Sequence, residues 1–148
     1  MNHKLNRSAE YLVDPLYTLP KWRLHVMRGL YFLNFISLAF DNWSMILFPE
    51  GSVDTLTGVT TSFWAAFSVL NLLGVRFPLK FVPILLLQLL YKAAWIVGTY
   101  RPANILGSLS EDLNTFFWVC IAGIFLNLLI IPWKFVYVEY FEKLLKLR

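Results

Sequence analysis

The sequence predicts an all-α, polytopic membrane protein: four transmembrane helices followed by a C-terminal amphipathic helix lying in the interface. Three observations carry that prediction. The chain is 58% hydrophobic and only 15% charged, where a soluble domain carries about a quarter charged residues. Its mean hydropathy is +0.60. The charges are also segregated, leaving four apolar blocks of roughly the 20 residues needed to cross a bilayer as a helix. A chain of 148 residues has room for one such domain, residues 1–148.

The first span covers residues 23–48. It opens after Pro20, which suits the start of a helix, and ends at Pro49, Glu50 and Gly51. It is long enough to cross and has no small-x-small cleavage site after it, so it is expected to stay as an anchor rather than leave as a signal peptide. The second span, 58–75, is joined to the third, 81–100, by a tight connection marked by Gly74 and Pro78. Pro102 and Gly107 fall in the third connection. There Ser108 and Glu111 have capping-box spacing for the fourth span, residues 113–131, and Glu111 and Asp112 suit a helix N-terminus.

Pro132 then bends the chain into WKFVYVEYFEKLLKLR. Trp133, Val136, Tyr137, Tyr140, Phe141, Leu144 and Leu145 recur at helical spacing, with Glu139, Glu142, Lys143 and Lys146 opposite them. Glu139–Lys143 and Glu142–Lys146 are favourable four-apart pairs. The pattern predicts an interfacial helix over 133–146, the alternative being a solvated extension packed on a partner. The N-terminal SAEYLVDPLYTLP also offers Tyr and Leu residues to the headgroups.

Basic residues orient the spans. Lys4, Arg7, Lys21, Arg23 and Arg28 precede or open the first, Arg76 and Lys80 lie in the second connection, and Lys134, Lys143, Lys146 and Arg148 follow the fourth. The first connection has no Lys or Arg, and the third has only Arg101. The positive-inside bias puts both termini in the cytoplasm. The net charge of +4 is therefore an orientation signal and not a nucleic-acid footprint. Trp22, Phe77, Trp133 and Tyr137 mark the inner interface; Trp43, Phe48, Tyr100, Phe116 and Phe117 mark the outer one. Trp64 and Trp95 lie deeper, as packing residues.

Polar residues inside the spans are the candidate site. Counting the helical rise from Arg23, Arg76, Lys80 and Lys134 puts Ser68, Asn71, Gln88 and Asn127 about 8–12 Å deep, and Asn34 and Lys92 about 16–18 Å deep. Unpaired amides in hydrocarbon are costly, so hydrogen bonding from helix to helix is the structural expectation for Asn34, Asn71, Gln88, Asn127 and Ser68. Lys92, inside LLLQLLYKAAWIVG, is different, because ionisable residues within spans are functional candidates. Helical side chains lean toward the N-terminus, which aims Lys92 at Gln88. Three states are open to it. It is neutral through burial; it is hydrated through a cavity; or it meets an anion from a lipid headgroup, a ligand or a partner subunit. Asp41 is the least favoured counter-ion, about 27 Å from the cytoplasmic boundary on the same scale.

Catalytic and metal signals are poor, and no cofactor is expected. Cys120, the one cysteine, sits in the apolar FFWVCIAGIF and reads as a small buried hydrophobe. His3 and His25 cannot form a paired intramembrane haem site. No HExxH, GxSxG or glycine-rich phosphate loop is present. Asp41, Glu50 and Asp54 read as a solvated outer loop.

In SFWAAFSVLNLLGVRFPLKFVPILLLQLLYKAAWIV and in IPWKFVYVEY the chain resembles small four-span bacterial inner-membrane proteins, and more loosely DoxX-like four-helix membrane proteins. The resemblance covers residues 40–140 and implies a cytoplasmic-membrane location. An acidic residue often stands in that group where this chain has Gln88, so the resemblance implies an ion pair that this departure removes. The DoxX-like likeness implies redox association, with no residue here to carry it. The leading expectation is a non-enzymatic accessory or lipid- or ligand-binding bundle centred on Lys92. A small transporter or proton-coupled component with Lys92 titrating comes second, and a quinone-linked redox protein third.

Overall fold

The computed structural model describes residues 19–49, 51–142 and 145. Lys4, Arg7, His3, most of SAEYLVDPLYTLP, and the Glu139–Lys143 and Glu142–Lys146 pairs lie outside the described residues. Within them the chain is helical without strands. Four segments are long and apolar enough to cross a membrane: Lys21–Leu47, Thr55–Arg76, Val82–Ile105 and Glu111–Ile130. The first two are helices α1 and α2. The third is compound: α3 (Val82–Trp95), a π-helical stretch Ile96–Tyr100, and α4 (Arg101–Ile105). The fourth is α5, followed by the short α6 (Trp133–Val136), which runs on as a π-helix through Tyr137–Glu142.

Caps explain where the helices differ from the sequence expectation. Helix α2 starts three residues before Gly58 because Asp54 caps it, its carboxylate accepting from the backbone N–H of Leu56 at 3.0 Å and of Thr57 at 3.1 Å. Helix α5 is capped by Ser110, whose hydroxyl accepts from Leu113 N–H at 3.2 Å. Ser108, the residue with capping-box spacing, instead turns back to donate to Ala103 O. Glu111 and Asp112 do occupy the first turn.

The third span continues past residue 100, and Pro102 does not end it. A proline removes the N–H that would bond the carbonyl four residues earlier. The chain widens to π geometry immediately before it, with Arg101 N–H bonding Ile96 O. The stop comes at Gly107, whose φ of 67° is open to glycine and costly for other residues. Its N–H reaches Asn104 O at 3.2 Å and that of Ser108 reaches Ala103 O at 2.9 Å, the paired bonds of a Schellman ending.

The spans associate as two antiparallel hairpins. Helix α1 packs closely along α2, and the third span packs on α5, while α1–α5 and α2–α3 contacts are sparse. Gly74 permits the α1–α2 approach: a Cβ there would lie 2.5 Å from Tyr31 Cδ1. The core that joins the hairpins comprises Met27, Leu30 and Tyr31 of α1, Val82 and Leu85 of α3, and Ile131 and Val136. It lies at the end carrying Arg23, Arg76, Lys80 and Lys134, here called the basic end; Asp54, Glu111 and Asp112 mark the opposite, acidic end.

At the basic end α5 has no basic residue in its last turn. Arg23 supplies one from α1, its guanidinium donating to Ile131 O at 3.1 Å, where a cation suits the exposed carbonyls. Pro132 then redirects the chain. The C-terminal segment turns out two-sided: Val136 is buried in the core with Phe135 and Tyr140 against it, whereas Trp133, Tyr137, Phe141 and Leu145 are exposed. The expected single apolar face is thus divided between the bundle and its surroundings.

Candidate functional site

The site grows from one face of each of three helices. On α1 the buried residues Met27, Leu30, Tyr31 and Asn34 follow helical spacing, so Asn34 continues the core stripe. On α3 the stripe is Val82, Leu85, Gln88 and Lys92. On α5 it contains Cys120 and Asn127. The α1 and α3 stripes are apolar near the basic end and turn polar further in.

Gln88 is the hub. Its carbonyl oxygen accepts from Asn34 Nδ2 at 2.8 Å and from Asn127 Nδ2 at 3.2 Å, and its own Nε2 donates to Asn34 Oδ1 at 2.8 Å. Three helices are thereby cross-linked by side-chain amides, the remedy that hydrocarbon surroundings demand. Asn34 and Gln88 share a level although equal rise from Arg23 and Lys80 separates them by several ångströms. Arg23 reaches up along α1 to the end of α5, so its Cα lies beyond the boundary that its guanidinium marks.

Two candidates stay outside the node. Asn71 is fully buried but donates within its own helix to Phe67 O at 2.9 Å. Ser68 bonds Ala65 O at 2.7 Å and accepts from Trp43 Nε1 at 3.2 Å, so it fastens α1 to α2. The Asn71 and Asn127 Oδ1 atoms are both buried and without a hydrogen-bond partner.

Lys92 lies one turn beyond Gln88 and is 6% exposed. The antiparallel register that pairs Gln88 with Asn127 pairs Lys92 with Gly123, and a Cβ on Gly123 would collide with Lys92 Nζ. The amine therefore crosses the α5 backbone where that helix has no side chain. It is not bonded to Gln88, whose polar atoms are engaged by the two asparagines. Among the described residues it forms no hydrogen bond or ion pair, and the Tyr91 ring, 5.8 Å away, is its polar-facing neighbour. Cys120 is fully buried one turn from Gly123. Asp41, two turns beyond Asn34, is exposed and makes no ion pair with Lys92.

Sequence reasoning missed Tyr31 and Gly123, and it read Gly74 as part of the connection to the third span where that glycine lies inside α2 against Tyr31. The Tyr31 hydroxyl donates to Pro78 O at 3.0 Å, tying α1 to the α2–α3 connection at the edge of the node. The two glycines leave a signal only once the facing side chain is known, since a glycine in a span reads as packing in general.

Around Lys92 and toward the acidic end the contacts are between half-buried or exposed aromatic rings. Trp64 stands edge-on to Tyr91, with ring centroids 4.8 Å apart, and Trp95 edge-on to Phe116 at 4.7 Å; Tyr100 stacks on Phe117 at 4.0 Å. A separate apolar groove of about 480 Å³ runs along α1 from Phe35 to Phe48, on the side of the helix away from Asn34.

No family model matches the chain, and neither a curated protein nor a solved structure matches it.

Proposed function

We propose that the protein is a non-enzymatic membrane subunit that binds an anionic group at Lys92, carried by a lipid, a small ligand or a partner chain. The observation behind this reading is the ammonium itself. The Lys92 residue is 6% exposed, its amine is held against the Gly123 backbone, and no described residue bonds it, while the amides one turn away bond one another. A buried charge lacking a partner is expensive, and an anion brought by another molecule would offset that cost. The closed packing of Met27, Tyr31, Val82, Leu85 and Ile131 favours binding over transport, which needs access from both ends.

The proposal includes a location in the bacterial cytoplasmic membrane with both termini inside. The gathering of Arg23, Arg76, Lys80 and Lys134 at one end supports the orientation, and the likeness to small four-span inner-membrane proteins supports the membrane. A reporter fused after Arg148 checks it: a periplasmic signal overturns the threading.

Native mass spectrometry of the purified protein tests the function. The wild-type spectrum is expected to carry a lipid or subunit that Lys92→Met lacks, with both proteins eluting as folded species. Identical spectra would sink the reading. Flux in proteoliposomes abolished by Lys92→Met would replace it with transport, and a co-purifying quinone would replace it with a redox role.

A further inference from the structure

The ligand class follows from where packing between the hairpins stops. Helix α1 buries nothing after Asn34, the third span nothing after Lys92, and α5 nothing before Cys120. Beyond that turn each hairpin holds only itself. Thr61 and Ala65 of α2 are buried and Trp43 bonds Ser68 in the first, while Trp95–Phe116 and Tyr100–Phe117 pair in the second. On the α2–α3 side the Trp64–Tyr91 contact closes the seam at Lys92. On the α1–α5 side neither helix buries a further residue toward the acidic end, so Lys92 ends the buried part of the seam between the hairpins.

Resting on the anion-binding reading above, we infer that Lys92 receives the head of a single-chain amphiphile bearing one acid group, which enters between α1 and α5 with its chain along the seam. Three features select that chemistry. Lys92 is the cation at the head of the seam and matches one negative charge, and Gly123 gives its amine room against the α5 backbone. Asp41 continues the Asn34 face two turns further out, and its charge disfavours heads carrying two or more negative charges. A small hydrated anion would lose its water for a single ammonium, whereas an alkyl chain contributes about 0.8 kcal/mol for each methylene buried.

The test uses the full chain in phosphatidylcholine nanodiscs, titrated with oleate, oleyl alcohol, acetate or inorganic phosphate and read by native mass spectrometry. Oleate is expected to bind saturably, one per chain, with oleyl alcohol, acetate and phosphate at least about tenfold weaker. Lys92→Met should lose about tenfold or more of the oleate affinity. Gly123→Ala keeps the lysine but pushes its amine aside, and should weaken oleate several-fold with the fold intact by circular dichroism.

The failures separate. Lys92-dependent binding of acetate or phosphate as strong as that of oleate would overturn the amphiphile and leave the anion site standing. Oleate bound equally by wild type, Lys92→Met and Gly123→Ala would overturn the inference. If no anion in the series depends on Lys92, the anion-binding reading falls with it.

Discussion

Toward the basic end, α1, α3 and α5 bury a continuous stripe from Met27, Val82 and Ile131 up to Asn34, Gln88 and Asn127. Toward the acidic end no further residue of α1, the third span or α5 is buried between the two hairpins. The first region joins the two hairpins by packing and by polar bonds that cross helices. The second leaves each hairpin to its own aromatic pairs and caps. Lys92 stands at the border, one turn beyond an amide node whose three side chains bond one another without it and whose Asn127 Oδ1 is left without a partner. Substitutions in the basic half should therefore unlock the hairpins from each other, whereas those beyond Lys92 should loosen one hairpin at most.

Gly74→Leu should break the contrast most severely. Its Cβ would lie 2.5 Å from Tyr31 Cδ1 and 2.6 Å from Cε1, and the ring is fully buried, so it has nowhere to go without surrendering the bond to Pro78. Overpacking of this kind costs about 3 kcal/mol. The thermal midpoint of the detergent-solubilised protein should fall by more than for any substitution of comparable size at Gly98, where an added Cβ meets nothing within 4 Å. Equal effects at the two glycines would erase the distinction between the halves.

Gln88→Leu comes next. It strands the Asn34 amide and the Asn127 Nδ2 together, for a loss of about 2 kcal/mol given the modest value of hydrogen bonds between membrane helices. Lys92→Met, one turn away, should cost no stability, because it removes a buried charge that no described residue compensates and keeps the volume. Opposite behaviour of two residues four apart on one face is a sharp test. If Lys92→Met unfolds the bundle as Gln88→Leu does, the lysine belongs to the structural node.

The spans and their order were legible because segregated charge and block length are properties of composition along the chain. The node was legible only in part. The polar residues could be named, but their convergence depends on how far each helix runs past its boundary, and that is set by side-chain reach at Arg23 and not by residue count. Asn71 carried the same signal as Asn127 yet bonds locally, and Ser68 divides its bonds between its own helix and Trp43, since a helix offers its own carbonyls to any short polar side chain. The third span defeated the usual meaning of Pro102, because a π turn placed just before a proline absorbs its missing donor.

The smallest expected effect lies at the acidic end, in the cap of α2. Hydrogen bonds from Thr57 hold the Asp54 carboxyl below its ordinary range. A carboxyl depressed in the folded state stabilises fully above its unfolded value and loses that contribution as pH falls through its folded one. The cap should accordingly weaken on acidification, and Asp54→Ser should keep a capping oxygen while making the midpoint less sensitive to pH in the acid range. The change is confined to the first hairpin, so the Asn34–Gln88–Asn127 node should be untouched. Parallel thermal melts at neutral and acid pH in the Gln88→Leu background measure this: independent regions give additive shifts, and a non-additive shift would mean that the α2 cap reaches across the seam.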